Sequence, residues 1–268
     1  MSFEGKNALV TGASMGIGEA ISTALAAKGA NLILMSRDER KLGALANKLS
    51  MSYSNVKIIY RAADVGDFES VDKAVASAVE ALGQIDILIN NAGLALGAPA
   101  RFSDLKIQDV MTMANTNVSG MMFVTHSVLN RSMLAQKPDN GTILNVTSVT
   151  GLEVPPFSGE AVYHASKAFQ EAFTNSIRNE LVETNIRVLA IRPGVVATNF
   201  HSQRVGHDKE QYDSFIEGYD PLVSDDIAKA AVYMLEQPPN ISIKALDVVP
   251  TAQRSLPVFD RTWNNRTH

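Results

Sequence analysis

Tyr163 and Lys167 stand four residues apart in Tyr163-His164-Ala165-Ser166-Lys167, at the start of a helix-period stretch. Residues at that spacing share one helical face, so a phenol and an ammonium can point the same way. Free tyrosine, with a pKa of about 10, is a poor base near neutrality. A cation ~5 Å away, at an effective dielectric of ~20, favours the phenolate by ~3 kcal/mol, or roughly two pKa units. That suits the phenol to acid/base work on an alcohol or carbonyl oxygen. The pair alone is common on helix surfaces, and its company carries the signal. Ser148, in Asn145-Val146-Thr147-Ser148-Val149-Thr150-Gly151, ends an apolar run that reads as a strand. Ligands of open α/β sheets bind off the carboxyl ends of strands, which places Ser148 to bond a substrate oxygen. Thr147 and Thr150 compete for that role.

A second constellation is Thr11-Gly12-Ala13-Ser14-Met15-Gly16-Ile17-Gly18, directly after the first apolar run and opening the first helical stretch. Glycines let the chain turn tightly and bring main-chain amides close to a pyrophosphate, and a helix N-terminus adds partial positive charge. The spacing is G-x-x-x-G-x-G rather than G-x-G-x-x-G. Alone, a plain tight turn would explain the glycines; the strand-before, helix-after context makes them a strong signal for a dinucleotide. Ser36 ends the second run where an acid would accept from the 2′-hydroxyl of NAD, and Arg37 follows it. An arginine fork suits a 2′-phosphate, so NADP is expected over NAD; the alternative is that Arg37 is only a solvated charge.

The elements that must position these groups alternate along the chain. Strand-like runs occur at Asn7–Val10, Leu32–Met35, Val56–Tyr60, Ile85–Ile89, Thr142–Val146, Arg187–Ile191 and Ala245–Val249. They are nearly continuous in apolar residues, as parallel strands covered on both faces should be. Helix-period stretches lie at Gly16–Lys28, Glu39–Leu49, Phe68–Leu82, Ile107–Ala135, Val162–Glu183 and Ser224–Glu236. The order implies one doubly wound α/β domain of Rossmann type, a seven-stranded parallel sheet with helices on both faces. The domain is expected to span residues 1–254, with a substrate loop at about 198–221 and a polar C-terminal tail at 255–268, either loose or docked on a neighbouring subunit.

Bulk properties narrow the function classes. The 268 residues are 46% hydrophobic and 19% charged, so a sizeable core is expected. A net charge of -4 argues against nucleic-acid binding. No cysteine is present, which removes thiolate ligands and nucleophiles. His126, His201 and His207 have no ligand spacing, so no metal is expected. No secretory or membrane-spanning run is visible, and a cytoplasmic protein is expected.

With these motifs in hand, the chain resembles a short-chain dehydrogenase/reductase over nearly its whole length. Further marks are Asp64 after the third run, Asn90-Asn91-Ala92-Gly93 after the fourth, Asn117 within Asn115-Thr116-Asn117-Val118, and Arg192-Pro193-Gly194-Val195-Val196-Ala197-Thr198 after the sixth. The resemblance implies a catalytic set of Asn117, Ser148, Tyr163 and Lys167. Tyr163 would carry the alcohol proton, Lys167 would bond the nicotinamide ribose, Ser148 would hold the substrate oxygen, and Asn117 would anchor a proton-relaying water. The cofactor would meet Gly12, Ser14, Met15, Gly16, Ile17, Gly18, Ser36, Arg37, Asp64, Val65, Asn91, Ala92, Gly93, Tyr163, Lys167, Pro193, Gly194, Val196 and Thr198. Within the family the chain is similar to NADP-dependent serine and 3-hydroxy acid dehydrogenases. That likeness lies in Asn90 to Gly97, in Pro221 to Ala228 leading to Val248–Gln253, and in a Thr-x-Phe-x-x-x-Arg run from Thr198 to Arg204. Arg204 would pair a substrate carboxylate, or else is a solvated loop arginine. Pro155-Pro156-Phe157, in a lengthened segment between Ser148 and Tyr163, would reshape the pocket wall. The expected partners are a small alcohol or carbonyl substrate and, through the two long helices, further copies of the chain in a dimer or tetramer. A broader carbonyl reductase and a non-catalytic NADP sensor are the competing readings.

Overall fold

A computed structural model describes residues 2–155, 158–200 and 209–266. Seven strands, β1 (Asn7–Thr11), β2 (Asn31–Ser36), β3 (Ile58–Ala62), β4 (Ile87–Asn90), β5 (Asn140–Val146), β6 (Asn185–Pro193) and β7 (Ala245–Val248), form one sheet. Its order is β3-β2-β1-β4-β5-β6-β7, and every pair is parallel. This is the Rossmann-type architecture expected from the alternation of runs.

Both faces are covered because side chains alternate along each strand. Ala8 and Val10 of β1, with Leu32 and Leu34 of β2, join one core with Ile21 and Leu25 of α1 (Gly16–Ala27), Leu42 of α2 (Glu39–Ser52) and Ile227 and Ala231 of a later helix, Ser224–Leu235. Leu9, Ile33 and Met35 point the other way, into Val71 and Val75 of α3 (Phe68–Leu82) and Val124 and Val128 beyond it. Chain order reverses direction across the sheet between β1 and β4, and a crevice opens there at the carboxyl ends of the strands.

Three elements differ from the sequence expectations. The single helix expected over Ile107–Ala135 is interrupted. It runs as α4 (Ile107–Met113), a π-helical turn at Ala114–Ser119, α5 (Gly120–Val128) and a second π turn at Leu129–Met133. Asn115, Thr116 and Asn117 are weak helix formers, and the wider turn carries Asn117. The apolar stripe continues across the break, so periodicity alone did not register it. Next, β3 lies two residues beyond the expected run, at Ile58–Ala62. Finally, a hairpin of β8 (Gln253–Ser255) and β9 (Val258–Phe259) crosses the boundary drawn at Arg254/Ser255. The described part of the tail packs on its own chain, against α7 (Lys209–Ile216), which lies between α6 (Ala161–Glu180) and α8 (Ser224–Leu235). No helix among the described residues is long and apolar enough to cross a membrane.

Candidate active site

The crevice is a cleft of about 890 Å³. Its floor begins with the turn after β1. Gly12 and Gly16 have φ of +63° and +60°, conformations that favour glycine. A Cβ on Gly12 would come within 2.9 Å of Asn91 Nδ2. The Asn91 amide donates to Thr11 O (3.0 Å), and Thr11 Oγ1 accepts from the main-chain N–H of both Asn91 and Ala92. The β1 and β4 turns are thereby locked together. Met15 precedes α1 in an extended conformation, and no side chain caps the helix. Its first amides therefore face the cleft as anion donors.

At the end of β2, Ser36, Arg37, Asp38 and Lys41 line the same cleft. Asp38 caps α2, its Oδ1 accepting from Lys41 N–H at 3.0 Å. Ser36 Oγ is buried and has no hydrogen-bond partner among the described residues. Asp64 folds into a local turn, accepting from Gly66 N–H at 2.9 Å. Asp64 and Val65 both border the cleft.

The tyrosine–lysine pair sits on the first turns of α6. Tyr163 and Lys167 are buried, at 6% and 5% exposure, yet both line the cleft. Lys167 Nζ lies 5.7 Å from the centre of the Tyr163 ring. The ammonium donates to Val146 O (3.2 Å) and to Gln170 Oε1 (2.9 Å). Burial pushes its pKa down to about 8, while the Glu171 carboxylate pulls the other way. Glu171 is itself buried and held by Thr147 Oγ1–H (2.5 Å) and Arg192 Nη2 (2.8 Å), with Arg192 reaching on to Asp247. Ser148 stands at the end of β5, its Oγ accepting from Thr150 N–H and directed toward Pro193 O. Thr147, the rival to Ser148, commits its hydroxyl to Glu171 and Ile191 O.

Asn117 is fully buried and does not line the cleft. Its side chain accepts from Leu94 N–H and donates to Leu94 O and Ser166 Oγ. Its backbone carbonyl accepts from Gln170 Nε2 at 2.7 Å. Gly18 also stands behind the wall: its ideal Cβ would sit 2.3 Å from Gly12 O, so it serves close packing of helix on turn. Ser14, Met15, Gly16, Ile17, Ala92, Gly93, Pro193, Gly194, Val196 and Thr198 line the cleft. Arg204 lies outside the described residues, as do Pro156 and Phe157; Pro155 borders the cleft.

Around Tyr163 the wall is apolar. Phe200 lies 5.4 Å from the tyrosine ring, and Leu94, Ala95 and Met113 pack beside it. Phe215, Leu256 and Phe259 complete the wall. Among the described residues lining the cleft, the cations are Arg37, Lys41 and Lys167. Sequence reasoning missed Lys41, Gln170, Glu171, Leu256 and Phe259. A usable signal existed for Lys41, one helical turn after Arg37. The others look like ordinary helix or tail residues.

A parallel sheet with a glycine cradle at one end of its crevice and a buried tyrosine–lysine pair at the other defines a dinucleotide-dependent oxidoreductase. The short chain dehydrogenase family model matches residues 6–209, and the chain belongs to that family. It is 37% identical to an NADP-dependent 3-hydroxy acid dehydrogenase of Schizosaccharomyces pombe over 93% of this chain and 94% of that one. A sulfoacetaldehyde reductase of Chromohalobacter salexigens is also 37% identical, over 91% of this chain and 93% of its own length. Among solved structures, a serine dehydrogenase in a closed form with NADP+ superposes with a TM-score of 0.84 at 30% identity, covering 95% of this chain and 98% of that one.

Proposed function

We propose that this enzyme transfers a hydride between NADP(H) and a small alcohol/carbonyl pair, with 3-hydroxy acids as the first substrate class. The observation that carries the reading is the joint burial of Tyr163 and Lys167 on one helical face of the nucleotide crevice, 5.7 Å apart. The cradle fits the cofactor. Gly12 and Gly16 leave room for a pyrophosphate above the uncapped start of α1. Ser36, Arg37 and Lys41 gather donors for a 2′-phosphate, and Asp38 turns its carboxylate to an α2 amide instead. Bound there, the nicotinamide supplies or accepts the hydride.

The protein's own groups handle the oxygen. The Ser148 hydroxyl donates to the carbonyl, and Tyr163 Oη–H gives its proton as the carbon is reduced. In the oxidative direction the phenol takes that proton back. Lys167, positively charged beside the ring, favours the phenolate and offers a remaining N–H to the ribose. Asn117 ties the π turn to Leu94 and so fixes the wall facing α6.

The compounds in those relatives' names, 3-hydroxy acids, serine and sulfoacetaldehyde, are small and carry a carboxylate or sulfonate, which supports the acid reading. In that reading Arg204 pairs the anion. The apolar wall of Phe200, Phe215, Leu256 and Phe259 favours the second reading, a reductase of uncharged ketones and aldehydes. NADPH oxidation across a panel of 3-oxo acids, sulfoacetaldehyde and neutral ketones tests both. Arg204→Ala is expected to lose at least tenfold in kcat/KM on the anions, as loss of a charge-assisted pair of about 1.5 kcal/mol or more requires, and little on neutral ketones. Equal losses on both would remove the acid reading. Tyr163→Phe is expected to abolish turnover on every substrate; a rate matching the unsubstituted enzyme would remove the chemistry altogether.

A further inference from the structure

Lys167 is held in an unusual way. A buried ammonium has three donors and no acceptor capacity, and each donor left unpaired is costly. Here one N–H goes to Val146 O at the end of β5 and a second to Gln170 Oε1. The same Gln170 amide donates from Nε2 to the backbone carbonyl of Asn117, on the π turn. The orientation of the amide is dictated by chemistry: its oxygen must face the ammonium and its nitrogen the carbonyl. Gln170 is 1% exposed, and long polar side chains are rarely buried so fully without a partner at each end. Its own carbonyl accepts from Thr174 Oγ1 at 2.6 Å, which steadies the helix one turn further on.

We propose that Gln170 is the positioning residue that fixes the Lys167 ammonium, tying it through its side-chain amide to the Asn117 carbonyl and leaving a single N–H for the cleft. The inference rests on the role given to Lys167 above. It makes the Gln170 side chain the link between the Asn117 carbonyl and Lys167. The charged and titratable groups facing Lys167 are Tyr163 and Glu171 on its own helix, with Arg192 of β6 and Asp247 of β7 behind Glu171. The π turn and β5 present the neutral Asn117 and Val146. Substitution of Gln170 alters none of the charged groups, so their effects cancel in a comparison.

Removing the amide oxygen takes away an acceptor that the ammonium bonds more strongly than the neutral amine does. A hydrogen bond to a charged group is worth about 1.5–3 kcal/mol, or roughly one to two pH units. In Gln170→Leu and Gln170→Met, the alkaline limb of kcat/KM is expected to move down by about that amount. At the acid end of the profile lysine is charged in all three proteins, so the limb there stays in place, while kcat falls more than KM changes because the ammonium is no longer tethered. Thr174→Val, which disturbs the same helix but leaves both Lys167 acceptors, is expected to keep the alkaline limb in place. The direct readout is the Lys167 ¹³Cε titration by NMR, which needs no turnover. A lysine midpoint in Gln170→Met equal to that of the unsubstituted protein overturns the proposal, even if the enzyme is slower. A shifted midpoint in a protein without reductase activity upholds the proposal and sinks only the functional reading.

Discussion

Burying Lys167 costs stability in a pH window that can be derived from its two states. Its folded pKa is about 8, against an ordinary 10.5, because burial disfavours the charge. Below pH 8 both folded and unfolded chains hold the proton, and the full cost is present. Between pH 8 and 10.5 the folded protein releases the proton while the unfolded chain keeps it, so this residue raises stability as pH increases. The urea-unfolding free energy of the parent protein minus that of Lys167→Met should therefore be flat from pH 6 to 7 and climb from pH 8 to 10.5. A difference that falls over the upper window would contradict the burial of a charged lysine. At this scale the sequence was informative where spacing carried the message: Tyr163, Lys167 and Ser148 all reach the cleft. It was silent where a residue acts through a contact made across the fold. Nothing local distinguishes Gln170 or Glu171 from a solvated helix polar residue, since their partners Asn117 and Arg192 lie 53 and 21 positions away.

Elements were legible in proportion to how local their causes are. Glycine at a helix start is local, and the turn after β1 forms where expected. Gly18 is the instructive member, because its role is packing rather than contact with the cleft. An added Cβ would stand 2.3 Å from Gly12 O and 2.6 Å from Asn91 Nδ2, neither of which can retreat without opening the β1–β4 lock. Gly18→Ala should cost about 1–3 kcal/mol of stability, as overpacking does. It should also weaken NADPH binding at least tenfold, while NADPH fluorescence titration of Ala13→Gly stays nearer the parent value. Unchanged affinity in Gly18→Ala would mean that the turn and helix do not move as one unit. The π turns were illegible for the opposite reason. The first of them carries bonds to distant residues, from Asn117 to Leu94 and to Gln170, and both lie on an apolar stripe that an uninterrupted α-helix would also show.

At the scale of the whole molecule, the C-terminal segment joins three otherwise separate parts of the cleft wall. Gln253 Oε1 accepts from Val195 N–H just after β6. Leu256 N–H donates to Glu153 in the segment after Ser148. Phe259 packs on Phe215 and Tyr219 at ring distances of 5.7 and 5.0 Å, and Arg261 donates to the carbonyls of Phe215 and Glu217. A polar tail with one tryptophan gave no hint of this, because each contact pairs it with a segment far away in sequence. The turns after β1, β2, β3 and β4 make the other end of the cleft, which the bonds of Leu256 and Arg261 do not touch, and the Gln253 bond to Val195 lies before a cut made after Arg254. Truncation after Arg254 should therefore separate the two halves of the site. Losing the contacts of Leu256 and Phe259 removes about 1.5–3 kcal/mol for each side chain that is fully buried in the complex, so KM for the carbonyl substrate should rise about tenfold or more. Affinity for NADPH, measured without substrate, should stay within about twofold, since a site this remote contributes independently. Phe259→Ala should show a smaller rise in the same direction. If truncation left KM unchanged, or weakened NADPH as much as substrate, the tail would not be a wall of the substrate pocket.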